Sequence, residues 1–504
     1  MTARPYDAVV VGSGLGGLSA AALLARSGKR VLVLERNDAA GGFAHAFRRD
    51  GCTFDPAIHA TGEVEFITNM LDYLGVADQV ELLPVDNLFG VIFPDFRLTL
   101  PFGIEAVVDA LAAEFPSEAD GIDEFFMLRN QIFREASQLP HAVDIKSLDA
   151  AAAQFPTFFR YRALTLEEAV ALHLREPRLR SLVASVWPYV GSPPSRCGFL
   201  FYTQLLGSLI SGTVYAQGSF QSLVDALVAA IEDAGGTIAL EREVTGIRID
   251  GGAVRAVAVR DGDEIPARIV VSNADATTTL STLIGDGHLP RPYTRKLDRL
   301  KPGLSAFSVY TSTSLDLEAL GATHETFVFR HWDHGETYAD ILAGRPGGMW
   351  MSIPSLVDPS VAPEGRHTVI LTSLAGHDAH DWPAESERFT GLLLDELEAI
   401  FPGFRAASTV HATASPATFA RATAARDGAI YGWEMTPQQT ASGRLTHDTP
   451  ISGLYLSGAW TQQGHSCLRT LVSGEQVARR ILSDADGADS IPSFRPAHLP
   501  ALAT

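Results

Sequence analysis

The chain has 504 residues, 46% hydrophobic and 19% charged, which is too long for one ordinary core and too apolar for disorder, so two domains are expected. A formal net charge of −20 offers no basic surface to phosphate backbones, which argues against nucleic acid as a partner; it also limits any contact with anionic lipid to a peripheral, apolar kind. Three widely spaced cysteines, Cys52, Cys197 and Cys467, give neither a disulfide framework nor a paired metal motif, and they suit a reducing cytoplasm.

The N-terminus runs straight into a strand, with no signal-type segment before it. No run of about 18 apolar residues is present to span a membrane. Tyr6–Val11 reads as a buried strand, and Gly12-Ser-Gly-Leu-Gly-Gly17 follows it. Leu18–Arg26 is a good helix former, stopped by Ser27-Gly28, and Lys29–Leu34 is a second buried strand ending at Glu35. Each part of this unit has a physical role. Gly12 permits the tight strand-to-helix turn. Gly14 lets backbone approach a pyrophosphate, and Gly17 lets the helix lie close on the strand. The helix N-terminus presents N–H groups and partial positive charge to phosphates. Glu35 lies 18 residues after Gly17, where a carboxylate can accept from ribose hydroxyls. Together these parts predict a dinucleotide-binding fold. Arg36 and the pair Gly41-Gly42, then Phe43, continue it as a loop able to pass close to a long cofactor.

Further along the chain, Arg49-Asp-Gly51-Cys-Thr-Phe-Asp55-Pro-Ala-Ile-His59 stands out as a motif. Phe89–Phe102 is aromatic and is read as the wall of a cavity. Gly198–Ile210 is read as a buried helix. Tyr215–Leu223 leads into an amphipathic helix ended by Gly235-Gly236, and a strand over Thr237–Ile249 follows. Ala267–Ser272 is a strand leading to Asn273. Phe307–Thr313, Thr326–Arg330 and Thr368–Thr372 alternate like strands, and Leu392–Phe401 is a helix stopped by Pro402-Gly403. His331 and His334 lack a third ligand at motif spacing and are read as an exposed loop, so no metal is expected. Gly453–Gly458 is a strand reaching Ala459. Gly464–Gly474 follows it and leads to a helix over Glu475–Ile481. The tail from Ser490 is expected to fray or pack loosely.

The Glu35-Arg36…Gly41-Gly42 extension, the Phe54-Asp55…His59 stretch, Asp427-Gly428-Ala-Ile-Tyr-Gly432 and the Gly458-Ala459 terminus together resemble one family. It is the phytoene desaturase, carotene isomerase and retinol saturase family of FAD-dependent oxidoreductases, within the amine oxidase superfamily. Ala57 stands where that family usually has Gly. The resemblance implies an α/β fold: a Rossmann-like, glutathione-reductase-type FAD-binding domain with an interleaved α+β substrate domain. FAD binding would use residues 1–85, 215–280 and 410–485, and substrate binding 86–214 and 281–409, with 486–504 as a tail. It also implies that FAD meets Gly12, Gly14, Leu15, Gly16, Gly17, Glu35, Arg36, Gly41, Gly42, Phe43 and His59. Val244 would meet the adenine, Asn273 the pyrophosphate, and Gly458 and Ala459 the phosphate and ribityl side. Cys467, Leu468 and Arg469 would lie near the flavin pyrimidine ring, where an arginine favours anionic reduced flavin.

The chemistry implied is hydride transfer to flavin from an apolar, polyene-like substrate, with His59, His465 and Arg469 as candidate catalytic groups. Cys467 is open between inert lining, a redox thiol and a covalent flavin link. A single dinucleotide fingerprint leaves oxygen or a quinone as the electron acceptor. The polar run from Trp460 to Thr470 departs from the family pattern and suits a substrate carrying polar groups. Three other readings stay open: a redox-neutral isomerase or saturase, an amine oxidase, and a non-enzymatic carrier of a prenyl-type lipid.

Overall fold

All four side chains of Ala8–Val11 and of Val31–Leu34 are buried, the pattern of strands covered on both faces. In the computed structural model, which describes residues 6–138, 148–260, 262–486 and 491–494, they lie side by side in a five-stranded parallel sheet. The strand order is Leu454–Leu456, Val270–Ser272, Ala8–Val11, Val31–Leu34, Thr237–Ala239. Neighbours in this sheet come from opposite ends of the chain, so Gly12, Asn273 and Ser457 leave three adjacent strands at one edge. The Leu15–Arg26 helix covers one face and is buried from Leu15 to Ala25. Against it pack the Gln221–Asp233 and Cys467–Asp486 helices.

A second sheet has seven strands, in the order Ser408–Ala414, Ser305–Thr313, His367–Ala375, Gly348–Ser352, Glu325–Phe329, Phe89–Phe93, Phe96–Leu100. All pairs are antiparallel except Glu325–Phe329 with Phe89–Phe93. Phe89–Phe102 is therefore a hairpin at the sheet edge, its aromatic residues packed on Phe327, Phe329 and Trp332. Helices between residues 104 and 210 pack beside this sheet in one apolar cluster around Trp187, Phe199 and Tyr202. Among the described residues, no helix is long and apolar enough to cross a membrane.

Several boundaries differ from the sequence expectation. The strand expected over Thr237–Ile249 is two strands, Thr237–Ala239 and Val244–Asp250, in different sheets; the chain turns between them at Glu241, whose φ is 54°. The last helix begins at Cys467 rather than Glu475. Gly474 is inside it, because glycine is needed for close helix packing there rather than for a stop. The helix expected over Leu392–Phe401 begins at Trp382. Ser408–Ala414 pairs with Ser305–Thr313, so residues 410–414 join the seven-stranded sheet and not the nucleotide-binding half. His334 is buried, bonded to Trp187 Nε1 at 3.0 Å and to the Ser181 carbonyl at 2.8 Å, rather than on an exposed loop. Of the tail, Ile491 and Phe494 are buried, with Phe494 edge-on to Phe66, and Pro492 and Ser493 are exposed; residues 490 and 495–504 lie outside the described residues.

Candidate functional site

The nucleotide end is built where side chains are missing. Gly12 has φ of 90°, a conformation costly for any residue with a Cβ. A Cβ on Gly14 would meet Asn273 Oδ1 at 2.5 Å, and one on Gly17 would meet the Gly12 carbonyl at 2.3 Å. A Cβ on Gly16 would meet Gly458 Cα at 2.9 Å. Three backbones thus converge on the first turn of the Leu15–Arg26 helix. That turn has no acidic residue and no side-chain cap, so its N–H groups and dipole stay available to an anion.

Glu35 is buried at the edge of the same sheet. Its carboxylate accepts from Ser13 N at 2.9 Å, Ser13 Oγ at 2.6 Å and Asn37 N at 2.9 Å. A carboxylate has about four acceptor positions, so room is left for a ribose hydroxyl. The segment before Val244 runs alongside: Arg242 N donates to the Glu35 carbonyl at 2.7 Å. Gly41 and Gly42 have φ of 122° and 57°, and Gly41 N donates to Ser13 O at 3.1 Å. A cradle without Cβ atoms, beside a helix N-terminus and a carboxylate, fits the adenosine and pyrophosphate of FAD. Arg36 is exposed, and Phe43 packs toward Phe419 at 6.0 Å, so neither joins this cradle.

At the other chain end, Gly458 N donates to Ser473 Oγ at 2.8 Å, fastening the strand end to the Cys467–Asp486 helix. That helix also lacks an acidic first turn. Cys467 and Leu468 are buried at its start; burial pushes the Cys467 thiol up to about 12, which leaves it un-ionised. Arg469 turns to the Phe199–Ile210 helix, stacking its guanidinium 4.8 Å from the Phe201 ring and donating to Gln204. Arg444 is buried behind Ala459 and Thr461. It donates to the carbonyls of Gln439, Ala459, Thr461 and Trp433.

Between the two halves lies a buried polar seam. His59 sits on the loop held by Asp55, whose carboxyl takes Tyr215 Oη at 2.6 Å and Phe220 N at 2.9 Å. Its ring Nε2 donates to the Asp55 carbonyl at 3.2 Å, and Nδ1 faces Glu325 Oε1 at 3.9 Å. Glu325 begins a strand of the seven-stranded sheet, and Tyr189 Oη donates to its Oε2. His465 Nε2 donates to the Tyr189 carbonyl at 2.9 Å, and its ring lies 4.4 Å from Tyr431. Burial pushes Glu325 up to about 8 and pulls His59 and His465 each down to about 3. At neutral pH the seam therefore holds a protonated carboxyl and two neutral imidazoles.

His59 and His465 meet the same seam through Glu325 and Tyr189, whereas Arg469 stands apart on the neighbouring helix. Sequence reasoning missed Glu325, Tyr189, His324 and Tyr431. The Glu325 strand was expected to start one residue later, and no local motif marks a carboxyl that becomes significant only through burial.

A family model described as flavin containing amine oxidoreductase matches residues 15–482. All-trans-retinol 13,14-reductase of Homo sapiens is 27% identical over 506 residues, covering 90% of this chain and 82% of that protein. A neurosporene-forming phytoene desaturase of Rhodobacter capsulatus is 28% identical over 504 residues, covering 94% and 93%. Among solved structures, cyclohexylamine oxidase from Brevibacterium oxydans superposes with a TM-score of 0.65 at 18% identity, covering 95% of this chain and 99% of that one.

Proposed function

The chain belongs to the flavin-containing amine oxidoreductase family and is an FAD-dependent oxidoreductase; from that premise we propose that it acts on carbon–carbon bonds of an apolar, polyene-like substrate. Bound FAD supplies the hydride acceptor. The Gly12–Gly17 turn, Glu35 and Asn273 would hold its adenosine and pyrophosphate, with Val244 beside the adenine. Gly458, Ala459 and the Cys467 helix start would hold its other end. The names of the relatives support the substrate class: a retinol reductase and a phytoene desaturase.

One observation from the molecule carries this reading. The seam between the halves has its titratable groups in uncharged forms, enclosed by Tyr189, Tyr431, Phe327 and Trp350. A neutral, largely aromatic lining favours a conjugated hydrocarbon over a hydrated ammonium, whose charge would lose its water there. His59, neutral there, has its Nε2–H held by the Asp55 carbonyl and presents the Nδ1 lone pair to Glu325. The reading extends to oxygen or a quinone as electron acceptor, given the single fingerprint. It also extends to peripheral lipid contact, supported by the exposed side chains of Met127 and Leu172.

The test is anaerobic mixing of the FAD-loaded protein with retinoids and carotenoids, set beside simple amines. Bleaching of the visible flavin band by a polyene is expected. Bleaching by amines with hydrogen peroxide release in air, and none by polyenes, would overturn it.

A further inference from the structure

Glu325 is a costly residue to bury. Its side chain is 6% exposed, and among the described residues no lysine or arginine pairs with it and Oε1 makes no hydrogen bond of ordinary geometry; the Tyr189 and Ser352 hydroxyls beside it lower the carboxyl less than burial raises it. A carboxyl oxygen left so in a protein interior needs an explanation beyond stability. Every titratable group around it comes from a different direction. His324 immediately precedes its strand, with Nε2 3.8 Å from Oε1. His59 approaches from the Asp55 loop, and Tyr189 and Tyr431 from the opposite side.

The hydrogen bonds assign the protons. The Asp55 carbonyl takes the proton on His59 Nε2, which puts the Nδ1 lone pair toward Glu325 Oε1. His324 cannot take that role, because its two ring nitrogens face the carbonyls of Ile353 at 3.2 Å and His59 at 2.8 Å. Tyr189 Oη occupies Glu325 Oε2, so the mobile proton belongs on Oε1, the oxygen without a partner. Two adjacent groups whose surroundings drive their proton affinities apart are the arrangement of an acid and a base. Here the carboxyl is the one raised and the imidazole the one lowered.

We propose that Glu325 and His59 are the acid and base that exchange protons with a conjugated substrate, giving the chain a redox-neutral double-bond migration activity beside its oxidoreductase chemistry. In the forward step the Glu325 O–H bond breaks, and a C–H bond forms at one end of a C=C using its π pair. A C–H bond further along the conjugated chain breaks, its pair becomes the new C=C, and its proton goes to His59 Nδ1. Return of that proton to Glu325 resets both groups. No electrons leave the substrate, so no oxidant is consumed.

The proposal rests on the polyene reading above, and two measurements separate the fates of the two. The infrared spectrum of the FAD-loaded protein without substrate, minus that of Glu325→Gln, should show a protonated-carboxyl band at pH 7; the Asp55 carboxyl, raised to about 7, contributes to both spectra and cancels. Absence of that band from the difference overturns the acid. With a polyene that bleaches the flavin, incubation in D2O without an electron acceptor should place deuterium in the recovered substrate. Glu325→Gln should lower that rate about 100-fold or more, and by far more than it slows anaerobic bleaching, while flavin binding persists. Undiminished incorporation in the variant, or none in the wild type, overturns the proposal while leaving the oxidoreductase reading standing. Tyr189→Phe gives an independent check. Tyr189 stabilises the ionised carboxylate, so its loss should extend exchange to higher pH; an unmoved pH profile counts against Glu325 as the donor.

Discussion

The helix carrying Gly474 crosses the helix carrying Gly16 so closely that a Cβ on Gly474 would meet the Gly16 carbonyl oxygen at 2.4 Å. These two residues, from opposite ends of the chain, bring the C-terminal segment onto the first turn of the nucleotide site. Replacement of Gly474 by Val must push the helices apart. Overpacking of this kind costs about 1–3 kcal/mol. Thermal unfolding of Gly474→Val should show that loss, and stabilisation by added FAD should shrink with it. An unchanged melting profile in both conditions would contradict the close crossing.

Glu35 should matter for both affinity and folding. It accepts hydrogen bonds as an ion, and bonds to charged groups are worth about 1.5–3 kcal/mol. Glu35→Gln should weaken FAD binding to the apoprotein by roughly tenfold to a hundredfold, since 1.4 kcal/mol is about tenfold in a dissociation constant. Titration of apoprotein with FAD, followed by flavin fluorescence, measures it directly. Ser13 N and Asn37 N bond different oxygens of Glu35, so glutamine leaves one of them unsatisfied and the apoprotein should also lose about 1–3 kcal/mol of stability.

Asp55 gives the stability a pH dependence of known sign. Burial raises its carboxyl from 3.8 to about 7. The folded protein then binds a proton that the unfolded chain has released, so stability falls as pH rises from about 4 to 7. About three pKa units correspond to on the order of 4 kcal/mol. Asp55→Asn mimics the protonated acid: its Oδ1 can accept from Phe220 N, and its amide can donate to Tyr215 Oη. Denaturant unfolding across pH 4–8 should therefore be flatter for the variant and at least as stable at pH 8. A variant slope as steep as the wild type would rule Asp55 out as the source. His59, His465 and His334, lowered to about 3, 3 and 4, act oppositely: their share is full above 6.5 and is lost as pH falls toward those values.

Arg444 binds its neighbours as a fork. Arg444→Met removes donors from the carbonyls of Trp433, Gln439, Ala459 and Thr461, and each unsatisfied buried group costs about 1–3 kcal/mol. Loss of at least ~3 kcal/mol is expected, with faster FAD release because Ala459 and Thr461 flank the flavin segment. Arg444→Lys should not restore either property, since a single ammonium cannot reproduce the planar set of donors. Full rescue by lysine would mean that charge alone matters.

Local chemistry made much of this protein legible from its sequence. The strand, glycine turn, helix and Glu35 follow one another within the first 35 residues, each with its own conformational requirement, so the dinucleotide unit and its cofactor class could be read from the order alone. The Gly458-Ala459 terminus was equally readable as the end of a strand, and the structure brings it against Gly16 of the first turn. Where glycine served contact between distant segments, as at Gly474, the same residue type was misread as a helix boundary.

The seam was decided by the tertiary structure. Glu325, His59, Tyr189 and His465 lie far apart along the chain and come from both halves of the molecule; no spacing rule joins them. Their proton affinities are set by desolvation, which depends on everything packed around a group and on nothing in its own sequence neighbourhood. The sequence by itself pointed to a dinucleotide-binding turn, because turns and helix starts are local, and to a flavin through the family resemblance. Which groups hold protons beside the substrate emerged only when the two sheets closed on each other and removed the water between them.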